Sequence, residues 1–366
     1  MTRTLSRREF SRIAIAAAGA AACPALAAGQ QQQDVSWLAE IQTAPAPLPD
    51  DALQLQIVNE RGKPFASRDE WQPARQAIRR WWLDFLGPPP APRKTKPQWE
   101  VLAEDRPEGV IRQRVRYEVE PGITTEAYLL RPQQASGKLP AVAVFHSTVD
   151  HSLYQPAGVK GRPQLAFGLK LARLGYVTIS PRNYLWPTND KIAAQQEADR
   201  FHQRHPQSKG MMRMLHDSLV AVDILASLPE VDANRIGSVG HSLGAKEVLS
   251  LAALDGRVKV TVSSEGGVGT RFSNWDADWY LGPTIKSPDF QREHHELLAL
   301  AAPRPFLLLG GDSADGDRSW PFIEAALPIY RLYGGAPRLG LFNHKQGHAV
   351  PHAAEQRIYE WFTTYL

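Results

Sequence analysis

Two kinds of hydrophobic pattern divide the 366-residue chain. Residues 99–103, 110–118 and 124–131 alternate apolar and polar side chains, which is typical of antiparallel strands with one solvated face. Later segments are continuous apolar runs, as expected for strands that are buried on both faces. Helical segments separate these runs, so the pattern predicts a mostly parallel central sheet with helices on both faces. The predicted buried strands are 141–145, 176–180, 236–239, 258–263, 305–309 and 338–342.

A helical extension is predicted before the first strand. Ser67 and Glu70 have the spacing of a capping box, and apolar residues follow them at intervals of three and four. A glycine and three prolines then end the helix. We therefore predict that residues 29–97 form a linker and an N-terminal helical extension, and that residues 98–366 form the main domain.

The N-terminus has the features of an export signal, predicted over residues 1–28. Arg7 and Arg8 precede an Ala-rich apolar run that ends in Ala25-Leu26-Ala27, which indicates cleavage near Ala27-Ala28. The paired arginines indicate the twin-arginine pathway and hence a periplasmic or secreted protein. A lipoprotein anchored through Cys23 is the alternative, although the three alanines before this cysteine replace the usual leucine.

Composition excludes several kinds of partner. The chain is 22% charged and 43% hydrophobic, which is typical of a globular domain. Its formal net charge is +4, but the predicted signal contains four arginines and one glutamate, so little positive charge remains after cleavage. No nucleic-acid partner is predicted. The only cysteine lies in the signal, and no other apolar run is long enough to span a membrane.

The central motif is Gly240-His241-Ser242-Leu243-Gly244, placed between a predicted strand and a predicted helix. In such a nucleophile elbow the serine has a strained backbone conformation, and its hydroxyl is exposed above the sheet. The glycines lack the side chains that would collide with the neighbouring strand and helix. Ser242 is therefore the predicted nucleophile, with a glycine turn carrying an inactive serine as the alternative.

A base and an acid are expected beyond the ends of other strands. His348 follows the last predicted strand, where its imidazole can take the proton of Ser242. The acid that orients this base is sought after residues 305–309, where three aspartates compete. Asp317 is preferred, Asp315 is the second choice, and Asp312 is the third because it can cap the turn.

A metal site is not predicted. His344, His348 and His352 have a spacing that suits a metal-binding helix face, but Gly347 and Pro351 disfavour a helix there. The flanking histidines are expected to be surface or packing residues. A calcium site in the aspartate loop is disfavoured because the loop lacks the spacing and terminal glutamate of the known calcium motif.

The oxyanion of a tetrahedral intermediate needs hydrogen-bond donors. One is the backbone N–H of the residue after the nucleophile, Leu243. The other is expected from a backbone N–H in the loop after residues 141–145, where Ser147 is the candidate and Thr148 is its neighbour. His146 in this loop is predicted to shape the turn and to border the substrate.

These motifs resemble the α/β-hydrolase superfamily over essentially the whole mature chain. The closer likeness is to dienelactone-hydrolase-like and acetyl-xylan-esterase-like proteins, and the Asp-x-x-Trp-Pro sequence that begins at Asp317 is similar to Asp-x-x-Val/Phe-Pro in related hydrolases. The resemblance implies hydrolysis of carboxylic esters through an acyl-enzyme, without a cofactor. True dienelactone hydrolases have a cysteine nucleophile, so the serine argues against a dienelactone substrate. The phrases that carry the likeness are 141–146, 156–158, 228–232, 235–237 and 302–305.

A local likeness points to glucuronoyl esterases. Ser242-x-x-x-Lys246 and the Glu265-Gly-Gly turn are similar to segments in which those enzymes contact the hydroxyls of a uronic acid. The resemblance implies that Lys246 and Glu265 bind a sugar. It is incomplete, because Leu243 occupies the position of an arginine. The alternative is a surface ion pair of Lys246 with Glu265 or Glu247.

Aromatic residues follow in a stretch rich in Gly, Asn and Asp, predicted to be a loop over the site. Trp275 and Trp279 are predicted to bind substrate, as an apolar wall or by stacking on pyranose rings. A small satellite core under the loop is the alternative, and it applies equally to Trp320.

The sequence thus predicts an exported serine carboxylic-ester hydrolase that acts on a carbohydrate ester, either an acetyl or a uronate ester. The expected partner is this small-molecule or carbohydrate substrate, and neither a cofactor nor a metal is required. A serine peptidase or a general carboxylesterase of the same fold is the alternative. A non-catalytic carbohydrate-binding protein is the more remote one.

Overall fold

A nine-stranded sheet forms the centre of the structure, a computed structural model that describes residues 33–46, 48, 53–94 and 96–366. The predicted export signal lies outside the described residues. The strands begin and end close to the positions that the hydrophobic pattern predicts, except that β6 begins at Val231, before the predicted start at Ile236. They are β1 (Trp99–Asp105), β2 (Val110–Glu120), β3 (Ile123–Pro132), β4 (Leu139–Phe145), β5 (Val177–Pro181), β6 (Val231–His241), β7 (Val258–Ser264), β8 (Phe306–Gly310) and β9 (Leu339–Asn343).

The strand order is β1-β2-β3-β5-β4-β6-β7-β8-β9. The first three strands pair with each other antiparallel, and β3 also pairs antiparallel with β5. The pairs from β5 to β9 are all parallel. The predicted mostly parallel sheet is therefore confirmed. Strand β6, which leads into Ser242, lies between β4 and β7, so the loops after these two strands are its nearest neighbours.

Strand β4 shows why the buried strands are continuously apolar. Ala141, Ala143 and Phe145 pack into the core on one face of the sheet, with residues of the helices that flank β6. Val142 and Val144 point into a second core on the other face. A strand covered on both sides has no position for a solvated polar side chain.

Helices cover both faces of the sheet, as predicted. Within the described part of the chain, none of them combines the length and the apolar character needed to cross a membrane. They are α1 (Leu38–Ile41), α2 (Arg68–Leu86), α3 (Phe167–Arg173), α4 (Ala194–Arg204), α5 (Gly210–Ser227), α6 (Leu243–Leu254), α7 (His295–Ala301), α8 (Trp320–Arg331) and α9 (His352–Tyr365).

The predicted cap at Ser67 begins α2, and Glu70 reaches back to Ala66 instead of to Ser67. The Ser67 hydroxyl accepts a hydrogen bond from the Glu70 backbone N–H at 3.2 Å, and the Glu70 carboxylate accepts one from the Ala66 N–H. Such a cap satisfies backbone donors that have no partner inside the helix. Trp71 and Trp82 are buried in the main core, so the helix packs on the same body as the sheet.

The segment predicted as a linker contributes to the core before α2 begins. Val35, Leu38 and Ile41 are buried in the second core. Trp37 stacks on Trp361 of α9 with ring centroids 5.6 Å apart. This part of the N-terminal extension is therefore packed against the last helix.

Candidate active site

Ser242 occupies the turn between β6 and α6. Its backbone has φ 58° and ψ −114°, a strained conformation for a residue with a side chain. The Ser242 N–H donates to the Ser264 carbonyl at 2.8 Å, which ties the turn to the end of β7. The geometry is that of a nucleophile elbow, with the serine at the carboxyl edge of the sheet.

The two glycines of the motif are required by close contacts of the backbone. A Cβ added at Gly240 would lie 2.1 Å from the Gly244 carbonyl oxygen. A Cβ added at Gly244 would lie 2.4 Å from the carbonyl oxygen of Phe145 in β4. The elbow therefore fits between its neighbouring strand and helix only without these side chains.

His348 lies next to the elbow and contacts a carboxylate. Its ring centroid is 4.8 Å from that of His241, the residue before Ser242. Burial, and then the charge of His348, lower the pKa of His241 to about 3, so His241 is a neutral neighbour. The His348 Nδ1 lies 3.4 Å from Oε2 of Glu265, which follows β7.

Glu265 is held in place from several directions. It is buried, with φ 56°, a region that non-glycine residues seldom occupy. Its carboxylate accepts hydrogen bonds from the backbone N–H of Gly311 and, at 2.6 Å, from that of Ala314. The loop after β8 therefore donates hydrogen bonds to the Glu265 carboxylate, and it is Glu265, not an aspartate of this loop, that contacts His348.

The sequence favours Asp317 as the partner of His348, but in the structure its carboxylate is bonded to other side chains. The Asp317 carboxylate accepts hydrogen bonds from Asn343 at 2.7 Å and from Lys345 at 2.9 Å. Burial raises its pKa, but these two bonds outweigh that effect and hold the pKa below its usual value. Asp312 also accepts a bond from Asn343, at 2.6 Å. Both aspartates therefore fix the loop after β9.

Asp315, the alternative acid, is also a structural residue. It is fully buried, and it accepts hydrogen bonds from the backbone N–H groups of Gly267 at 2.8 Å and Val268 at 2.7 Å. The Ser319 hydroxyl donates to it at 2.9 Å. Burial raises the pKa of Asp315 despite these bonds. Its carboxylate holds the turn after Glu265 and does not point to the histidine.

The loop after β4 lies against the elbow, where the sequence predicts a backbone N–H donor for the oxyanion. In the structure the predicted donor of this loop has another partner. The His146 carbonyl accepts from the Gly244 N–H at 3.1 Å. The Ser147 N–H donates to the side chain of Gln155 at 3.0 Å, so this predicted donor is occupied. Leu243 begins α6, where backbone N–H groups have no partner within the helix.

His146, which the sequence places at the border of the substrate, is buried and supports the backbone of this loop. Its Nδ1 bonds to the Ser147 carbonyl, and its Nε2 accepts from the Asn183 N–H at 3.1 Å. Burial lowers the pKa of His146 to about 4, so the ring is neutral. Its ring also packs edge-on against Trp186.

Lys246 and Trp275 are likewise buried, with 3% and 1% of their surface exposed. The Lys246 Nζ donates to the Gly266 carbonyl and lies 4.2 Å from the centroid of the Trp275 ring. The Trp275 indole N–H donates to the Gly267 carbonyl at 2.7 Å. Neither side chain lines an open substrate surface, and neither predicted ion pair of Lys246 is formed.

Other predicted site residues have mixed surroundings. Trp279 is half-buried, and its carbonyl accepts a bond from the Tyr184 hydroxyl at 3.3 Å. Trp320 is buried in the main core. Glu247 is also buried, where Asn183 and Ser218 donate to it. Burial raises the pKa of Glu247 to about 8.

A cleft of about 470 Å³ opens beside His348. Its polar lining comes from the segment before α3, from the loop between β9 and α9, and from the first turn of α9. Its apolar lining includes Leu165 and Val350. The polar residues that line it are Arg162, Gln164, Gln346, His348, His352 and Glu355. A cleft of this volume is within the range that binds small ligands.

A mostly parallel sheet with a serine elbow at its centre and a histidine after its last strand is the arrangement of the α/β-hydrolase fold, and this is the fold of the protein. Residues 125–287 match the Dienelactone hydrolase family. The chain is also 28% identical over 256 residues to the "Putative hydrolase YtaP" of Bacillus subtilis (strain 168), with 64% of this chain and 83% of that protein covered.

Solved structures share the fold at low sequence identity. A glucuronoyl esterase from Solibacter usitatus has a TM-score of 0.65 and 17% identity, with 87% of this chain and 99% of that chain covered. An acetyl xylan esterase from Paenibacillus sp. R4 has a TM-score of 0.51 and 14% identity, with 91% and 100% covered. The predicted likeness to these two groups of proteins is therefore confirmed at the level of the fold.

Sequence reasoning singled out Glu265 but gave it a different role. The sequence favours an acid after β8, whereas the structure places Glu265, after β7, beside His348. The available signal was the position of Glu265 at the end of the strand that follows the elbow helix. A carboxylate there is close to Ser242, because β7 pairs directly with β6.

Proposed function

We propose that this protein is a serine carboxylic-ester hydrolase with Ser242 as nucleophile, His348 as base and Glu265 as acid. The observation that supports it best is the strained Ser242 elbow beside a histidine paired with a buried carboxylate. Asp317 and Asp315 have no catalytic role in this proposal. This arrangement fits the logic of a catalytic triad, which is defined by geometry and not by residue order.

The proposed reaction depends on which ring nitrogen of His348 carries the proton. Because its Nδ1–H donates to Glu265, Nε2 is free to accept the proton of the Ser242 hydroxyl. The Ser242 Oγ attacks the ester carbonyl, and the Leu243 backbone N–H stabilises the oxyanion. Protonated His348 then gives its proton to the leaving alcohol. Water, deprotonated by His348, then attacks the acyl carbonyl, the bond to the Ser242 Oγ breaks to release the acid, and His348 returns its proton to that oxygen.

We infer that the substrate is a carbohydrate ester, with an acetyl or uronate ester as the two candidates. The cleft beside His348 supports this, because its guanidinium, amide and imidazole side chains can hydrogen-bond to sugar hydroxyls. The structural likeness to glucuronoyl and acetyl xylan esterases supports the same substrate class. Arg162, Gln164, Gln346 and His352 therefore replace His146, Lys246 and Trp275 as the proposed sugar contacts.

We also propose that the protein is exported. The support is the sequence of residues 1–28, with Arg7-Arg8 and the Ala25-Leu26-Ala27 cleavage signal. Carbohydrate polymers that carry esters lie outside the cell, so an exported enzyme meets them. Detection of the mature N-terminus near Ala28 in the periplasmic or culture fraction tests this proposal, and full-length protein confined to the cytoplasm contradicts it.

The function is tested by hydrolysis assays on aryl acetate, acetylated xylan, a glucuronate methyl ester and a chromogenic peptide. We expect hydrolysis of a sugar ester by the wild-type protein, little hydrolysis of the peptide, and a loss of at least about 1,000-fold in Ser242→Ala. A rate that is unchanged in this variant contradicts the nucleophile. Turnover of aryl acetate alone indicates a general carboxylesterase, and turnover of the peptide alone indicates a peptidase.

A further inference from the structure

Lys246 lies one helical turn after Ser242 on α6, and almost none of it reaches solvent. Buried charged amines need partners, since the loss of hydration is costly. The Lys246 Nζ has a backbone partner, the Gly266 carbonyl, and it faces the rings of Trp275 at 4.2 Å and Tyr280 at 5.2 Å. The ammonium is therefore enclosed by protein.

Its backbone partner belongs to the segment that carries Glu265. We call residues 265–267 the acid turn. Lys246 holds the Gly266 carbonyl, the Trp275 indole holds the Gly267 carbonyl, and Asp315 holds the Gly267 N–H. Because Glu265 has a positive φ, which costs free energy for a non-glycine residue, the turn depends on such contacts to keep its conformation.

We propose that Lys246 is a positioning residue: it holds the acid turn so that the Glu265 carboxylate faces His348. This inference rests on the proposed function. Helix α6 begins at the nucleophile and carries Lys246 one turn later, so one rigid element sets both Ser242 and, through the Gly266 carbonyl, Glu265. The resemblance to glucuronoyl esterases had implied a sugar contact for this lysine instead.

The charges around Lys246 agree with this role. Burial lowers the pKa of Lys246 to about 7, and the negative charge of Asp315 opposes the decrease. The π faces of Trp275 and Tyr280 also attract a cation. His294 packs against Trp275 and is neutral, because burial lowers its pKa to about 3. The ammonium thus has one neighbouring carboxylate and aromatic rings, but no access to a substrate hydroxyl.

The test compares Lys246→Met with Lys246→Gln in the full chain, on aryl acetate and on a glucuronate methyl ester. Methionine removes the donor to the Gly266 carbonyl, so we expect kcat to fall by about 10- to 100-fold on both substrates, with KM changed by less than about threefold. Glutamine keeps a donor and is expected to recover part of kcat. A loss confined to the uronate ester, through KM, indicates a sugar contact and overturns the proposal.

The double variant Lys246→Met/Glu265→Gln distinguishes a positioning role from a general loss of structure. If Lys246 acts through Glu265, Lys246→Met should cause less than about a threefold further loss in the Glu265→Gln background. Multiplicative losses indicate independent effects and overturn the proposal. Thermal unfolding of each variant shows whether the compared proteins are folded.

A measurement without substrate distinguishes failure of this inference from failure of the proposed function. The ¹⁵N chemical shift of the His348 Nδ1 reports its hydrogen bond to a carboxylate. We expect Lys246→Met to change this shift in the same direction as Glu265→Gln, and Lys246→Gln to remain close to wild type. A wild-type shift in Lys246→Met overturns the positioning role, even if no ester is hydrolysed by any variant.

Discussion

Replacing Glu265 by glutamine should remove most of the activity while keeping the shape of the side chain. The Glu265 carboxylate lies 3.4 Å from the His348 Nδ1, so its attraction for the imidazolium that forms during catalysis is about 5 kcal/mol at an effective dielectric of ~20. The His348 side chain is 44% exposed, so water weakens this attraction. We therefore expect a loss of about 3–4 kcal/mol, or ~100- to 1,000-fold in kcat.

The assay is steady-state hydrolysis of an aryl acetate, with Asp317→Asn as the matched control. Asp317 is bonded to Asn343 and Lys345 in the structure, so its replacement should change kcat by less than about threefold. The reasoning is refuted if Asp317→Asn loses the activity and Glu265→Gln keeps it. Labelling of Ser242 by a fluorophosphonate gives the same comparison without a chosen ester, since it also needs the activated serine.

Two further predictions concern stability. Gly244→Ala places a Cβ 2.4 Å from the Phe145 carbonyl oxygen and should lower the free energy of unfolding by about 1–3 kcal/mol, measured as a lower Tm. Gly256→Ala, the control, places its Cβ in open space and should leave Tm nearly unchanged. Equal effects of the two variants would contradict the close contact at Gly244. Burial raises the pKa of Glu247 from 4.5 to about 8, so the wild-type protein should lose stability as pH rises through this range, because folding then opposes ionisation of this carboxyl. Glu247→Gln should therefore gain stability relative to wild type between pH 5 and pH 9 in chemical denaturation, and a constant difference would argue against this effect.

Local patterns in the sequence were sufficient for the elements that frame the site. The continuous apolar run of β4 predicted a strand buried on both faces, and the Ser67 and Glu70 pair predicted the start of α2. The Gly-x-Ser-x-Gly motif predicted the elbow, since its two glycines are demanded by contacts within the strand–turn–helix unit itself and with the adjacent strand. These features depend on neighbours in sequence or on one adjacent strand.

Which carboxylate lies beside His348 depended on distances across the sheet. The chain offers carboxylates after both β7 and β8, and sequence spacing does not rank them. Pairing of β7 with β6 brings Glu265 to the elbow, while the loop after β8 turns Asp317 towards Lys345. Which carboxylate reaches His348 is therefore a property of the assembled sheet.

The sequence also did not predict which polar and aromatic side chains are buried. His146, Lys246 and Trp275 have side chains that commonly bind substrates, and the sequence alone placed them in a substrate site. The structure buries all three and uses their polar atoms to hold backbone groups of the site. The sequence determined which residues could do chemistry, because that depends on side-chain type. The tertiary structure decided which of them are exposed, because exposure depends on how distant loops pack together.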